Sequence, residues 1–150
     1  MSRSKARAAA RLAAVQALYQ HDMEGTPLAP LLDEFHRHRL GGEIDPEIDD
    51  AQYVDAETAF FDDLVKGALA RREEIDALLS GKLAEGWKLE RLDKTMLQIL
   101  RAGAYELLAR ADVSTGTAIS EYIDVAHAFF DPRETKFVNG VLDAVAKAVR

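Results

Sequence analysis

Apolar residues recur along this chain at helical spacing, and no stretch sustains the two-residue alternation of a strand. A first helix is predicted from about Ser4 to His21, with Leu12, Val15, Leu18 and Tyr19 as its apolar stripe. Thr26 and Pro27 read as N-cap and first position of a second helix, which Gly41-Gly42 ends near Leu40. The stretch from Glu43 to Asp55 is acidic, carries Pro46 and has only scattered apolar residues, so it reads as a loop. A third helix begins near Asp55 with Phe60, Phe61, Leu64, Val65, Ala68 and Leu69, and is expected to continue to Leu79 with Gly81 as its stop.

A short piece at Trp87–Leu92 leads into the best-patterned segment. From Asp93, the apolar positions Met96, Leu97, Leu100, Ala104, Leu107 and Leu108 follow the spacing of a buried stripe. Ser114 caps the next predicted helix, with Ile119, Tyr122, Ile123, Ala126 and Phe130 facing inward. Then comes a conflict. In KFVNGVLD, Lys136 to Asp143, Asn139-Gly140 is a hairpin signal, yet Phe137, Val138, Val141, Leu142 and Val145 keep one helical face. Asp131-Pro132-Arg133-Glu134 sets an N-cap, a Pro at the first position and an acid at the third, and the stripe stays in phase across the glycine. One uninterrupted helix is therefore predicted. Its internal glycine costs about 1 kcal/mol relative to Ala, which favours close packing of another helix there over approach of a ligand. The fold class is all-α, with about seven helices in a packed bundle or two abutting ones.

Composition changes this picture in two respects. With 150 residues and no cysteine, the chain is large enough to fold on one core and has neither disulfides nor a thiol nucleophile. No secretory h-region and no bilayer-long apolar run is present, so a soluble, non-secreted, cytoplasmic protein with no membrane role is expected. The formal net charge of −7 conceals an asymmetry. Residues 1–21 carry Arg3, Lys5, Arg7 and Arg11 and no acid, residues 22–63 hold 13 acids against Arg37 and Arg39, and the remainder is balanced. A short basic arm of this kind is a hint of polyanion binding.

Candidate chemistry is sparse. His36 and His38 stand two apart and diverge on a helix, no metal-ligand spacing or nucleotide-binding loop occurs, and the acid pairs read as solvated charge. No cofactor, metal or catalytic residue is assigned. Arg3, Arg7 and Arg11 form a ridge beside the first apolar stripe, suited to phosphate contacts. Lys136 next to Phe137 pairs a cation with an aromatic able to stack on an unpaired base, although spacing alone assigns Phe137 to the core.

AVQALYQ (Ala14–Gln20), LARADVSTGTAISEYIDVA (Leu108–Ala126) and KFVNGVLD together resemble the NusB family of bacterial transcription antitermination factors, in the same order over nearly the whole chain. The resemblance implies two perpendicular three-helix bundles, here about 1–80 and 81–150, without enzymatic activity. It implies binding to boxA RNA together with NusE, a ribosomal small-subunit protein, within the RNA polymerase antitermination complex. RNA contact would fall on Arg3, Lys5, Arg7 and Arg11, and on Phe137 with Lys136; partner contact would fall on Tyr19 and Asp93. The chain departs from the usual pattern at Ser114, where a proline is common, and at Ile119–Glu121, where Ile-Asn-Glu is common. The family fold also precedes a methyltransferase domain in some enzymes, and the end at Arg150 is read against that arrangement. A helical module that binds only protein, or a homodimer, is the alternative.

Overall fold

The computed structural model describes the backbone of residues 3–38, 40 and 51–150, and the side chains of 4–38, 40 and 57–150. Seven α-helices and no strand occur among the described residues: α1 (Arg3–Glu24), α2 (Leu28–His38), α3 (Ala51–Ala70), α4 (Arg72–Ser80), α5 (Lys94–Ala109), α6 (Thr115–His127) and α7 (Pro132–Val149), with a 3-10 turn at Leu89–Arg91. The chain divides into two compact units, Met1–Gly67 and Ala68–Arg150, so α4 belongs with the C-terminal elements.

In the first unit, α1 buries a face made mostly of alanine: Ala6, Ala10, Ala13, Ala14 and Ala17, together with Val15 and Leu18. The expected stripe led by Leu12 is therefore rotated. Leu12 is half-buried and Tyr19 is exposed, because the small residues, which weigh little in a hydropathy pattern, let a neighbour approach closest. Helix α2 contributes Leu31, Leu32 and Phe35, and α3 contributes Phe60, Phe61, Leu64 and Val65. The Phe35 and Phe61 rings stack at 5.6 Å, and His36 meets the edge of Phe61 while its Nε2 lies 2.6 Å from Asp62 Oδ1. His36 is thus a tethered group on the rim of the core.

Two boundaries differ from the pattern reading, and the stop at Gly81 is where it was expected. Helix α3 starts at Ala51, ahead of Asp55, and the rest of the expected acidic loop, residues 43–50, lies outside the described residues. The helix does not run on to Leu79: it breaks at Arg71, whose φ of −107° and ψ of 20° are non-helical, and α4 restarts at Arg72. Gly81 ends α4 in right-handed geometry, with φ −69°, so its freedom to turn left is unused.

The second unit is organised on α5, buried from Met96 to Leu107 on every side and packed against α4, α6 and α7. A helix so enclosed carries polar groups that must be satisfied internally. Arg101 donates from Nε and Nη2 to the two carboxylate oxygens of Asp76 on α4, each at 2.8 Å. Tyr122 of α6 donates its hydroxyl to Glu106 Oε1 at 2.8 Å, with both residues fully buried. Arg150 reaches back to the carbonyls of Leu107, Arg110 and Val113, tying the C-terminus to the end of α5 and the following turn. Helix α7 runs unbroken through Asn139-Gly140, as its capping pattern requires.

The packing glycine, however, is another one. A Cβ placed on Gly103 of α5 would lie 3.0 Å from both terminal methyls of Leu142 and 3.4 Å from Tyr122 Cδ2. A Cβ on Gly140 would meet no atom of the described residues within 4 Å. The expectation that Gly140 accommodates a neighbouring helix is overturned, and Gly103 does that work between α5 and its neighbours.

Candidate nucleic-acid interface

The basic arm is the N-terminal half of α1. Positions 7 and 11 are one turn apart, and both guanidinium groups converge on a single ring: Arg7 Cζ lies 4.5 Å and Arg11 Cζ 5.0 Å from the Phe60 centroid. The consequence differs for the two. Arg11 is only 2% exposed, whereas Arg7 is half-buried and Lys5 is exposed. The expected ridge of surface arginines is corrected accordingly. Arg11 is a buried cation facing Phe60, and the side chain of Arg3 is outside the described residues. The rotation of the buried face toward the alanines explains this, since Arg11 lies between Ala10 and Ala14 on that face.

The second element is on α7, in the other unit. Its buried side is Thr135, Val138, Val141, Leu142, Val145 and Ala146. Lys136 is exposed and Phe137 half-buried at the border of that side, so Phe137 is not the core residue that spacing suggested. Asp131 caps the helix by accepting the Arg133 amide at 3.0 Å. Arg133, Lys136, Phe137 and Gly140 fall within an arc of roughly 100° on the outer side.

Of the residues assigned to a protein partner, Tyr19 is 39% exposed on the outer side of α1, with Met23 one turn further at 51%. Asp93 is exposed and is the N-cap of α5, its Oδ1 accepting from the Thr95 and Met96 amides at 2.8 and 3.1 Å. That carboxylate therefore organises the central helix whatever else it meets. Pattern reading missed Met23, Trp87 at 58% exposure and Phe129 at 44%. Phe129 carries one legible signal: it falls outside the inward stripe that Tyr122, Ala126 and Phe130 share. No cluster of potential metal ligands occurs among the described residues, and no described helix is long and apolar enough to cross a membrane.

The described residues are all-helical, with a cationic arm and an exposed apolar edge on α1 and a cationic and aromatic strip on α7. The NusB family model matches residues 8–147, and the chain belongs to that family. It is 73% identical over 146 residues to a transcription antitermination protein NusB of Novosphingobium aromaticivorans, covering 97% of this chain and 96% of that one. Identity to the NusB protein of Sphingopyxis alaskensis is 62%, covering 99% and 97%. Among solved structures it is similar to a crystal structure of antitermination factors NusB and NusE in complex with double-stranded RNA, with a TM-score of 0.76, 27% identity and coverage of 96% and 98%.

Proposed function

We propose that this protein is a transcription antitermination factor that binds boxA RNA together with NusE, as a cytoplasmic adaptor without enzymatic activity. The observation that carries the reading is the family match over residues 8–147, supported within each unit by surface cations: exposed Lys5 and half-buried Arg7 on α1, and exposed Lys136 beside Phe137 on α7. Phosphates are neutralised by the cations, and an unpaired base stacks on Phe137. The exposed edge of Tyr19 and Met23, with the Asp93 carboxylate as a further contact, takes the protein partner. Two weak surfaces used together raise the effective concentration of each ligand for the other.

The test is fluorescence anisotropy with single-stranded boxA RNA, a scrambled strand and a duplex, with and without NusE, over a range of salt. The expected outcome is a boxA preference that NusE strengthens and a salt slope of about −0.7 per neutralised phosphate. Lys5→Glu and Lys136→Glu should weaken RNA binding and spare NusE. Asp93→Ser, which keeps a capping oxygen and drops the charge, should weaken NusE binding with the fold intact. Equal binding to all RNAs regardless of NusE would reject the proposal in favour of a purely protein-binding module.

A further inference from the structure

Glycine inside a helix destabilises it, and two structural reasons ordinarily account for its presence: a backbone angle forbidden to other residues, or a neighbour too close for a side chain. Gly140 has neither. Among the glycines described, only Gly25 and Gly86 adopt positive φ, and no atom of the described residues comes within 4 Å of the place a Cβ would take at Gly140. The residue is exposed, in the middle of α7, on the side opposite Val138 and Leu142. It leaves a bare stretch of helical backbone at the surface. What borders that stretch has a definite chemistry. Lys136 lies one turn before it, Phe137 three residues before it and Arg133 two turns before it, the first and last exposed and the second half-buried.

We infer that Gly140 is a contact point for the RNA strand, where the sugar–phosphate chain lies against the helix backbone between Phe137 and the cations. This rests on the RNA-binding reading given above. Lys136 and Arg133 hold phosphates on either side, Phe137 takes the face of a base, and the missing methyl lets the intervening ribose reach the α7 backbone. Close approach there admits Cα–H···O contacts to ribose or phosphate oxygens, which any side chain would hold off.

Gly140→Ala and Gly140→Leu separate this from a structural role, because the two roles move stability and binding in opposite directions. Thermal unfolding by circular dichroism should show both variants at least as stable as the parent, with Tm raised by roughly 2–4 °C for alanine. Affinity for a single-stranded boxA oligonucleotide should fall several-fold for alanine and at least tenfold for leucine. The salt slope should stay unchanged, since no charge is removed. Lys136→Ala serves as the comparison, losing both affinity and slope. Unchanged RNA affinity in both glycine variants, with Lys136→Ala weakened, overturns the inference and leaves the RNA reading standing. Parent protein without measurable RNA binding overturns both. A loss confined to NusE binding also overturns it, and makes the bare stretch a protein contact.

Discussion

Gly103→Ala isolates how tightly α5 is packed in the second unit. The new methyl would lie 3.0 Å from both Cδ atoms of Leu142, tighter than ordinary carbon contacts, and 3.4 Å from Tyr122. Neither neighbour can retreat freely. Leu142 is fully buried, and turning one of its methyls away swings the other through occupied core. Tyr122 is held by its 2.8 Å hydrogen bond to Glu106. Overpacking of this kind costs about 1–3 kcal/mol, while alanine in place of glycine returns about 1 kcal/mol of helix propensity. The net expectation is destabilisation by up to roughly 2 kcal/mol, a Tm lowered by up to about 8 °C for a chain of this size. Gly140→Ala supplies the internal reference, because it carries the same propensity gain with no clash. Urea unfolding of the two variants therefore yields the steric term as their difference. Combining Gly103→Ala with Leu142→Val should recover part of the loss, and the double-mutant cycle should show a coupling of about 0.5 kcal/mol or more. Equal stabilisation by alanine at positions 103 and 140 would refute the packing account of Gly103.

Two further outcomes follow from polar groups in the second unit. Tyr122→Phe removes one buried donor from the Glu106 carboxyl and should destabilise by about 1–3 kcal/mol in urea unfolding, and a change within a few tenths would show that the bond contributes nothing. The Glu74 carboxyl is held below its ordinary value of 4.5 by its side-chain hydrogen bonds from Arg71, at 2.8 and 2.9 Å. Its folded-state pKa is depressed, so the stabilisation is complete above 4.5 and is lost as pH falls through the lower folded value. Parent and Glu74→Gln should thus differ in Tm near neutrality and converge in acid; a gap that persists or widens there would contradict the pairing.

The helices were legible because their signals are local. Capping by Asp93, Ser114 and Asp131 is visible in the residues themselves and recurs in the hydrogen bonds of α5, α6 and α7. The break at Arg71 was not legible, since Arg71-Arg72 holds neither glycine nor proline and an amphipathic stripe continues on both sides of it. The buried face of α1 was misread for a related reason. Its placement is decided by how closely alanines admit a neighbour, a tertiary property that hydropathy scarcely weights.

The same limit governs the site. A basic i, i+4 series announces cations on one helix face but not which of them are committed. That decision was made by Phe60, far off in sequence, which takes the guanidinium groups of Arg7 and Arg11 together. Arg11 is consequently buried, Arg7 half-buried against the same ring, and Lys5 exposed. Two of the glycines inside helices make the complementary case. Gly103 and Gly140 each stand inside a patterned helix and each costs it the same propensity. Only the neighbours differ: two methyl groups and a tyrosine ring against empty space. A glycine whose cost is recovered by packing belongs to the fold. One whose cost is recovered nowhere among the described residues, and which stands beside an aromatic and two cations, is the one for which we propose an RNA contact.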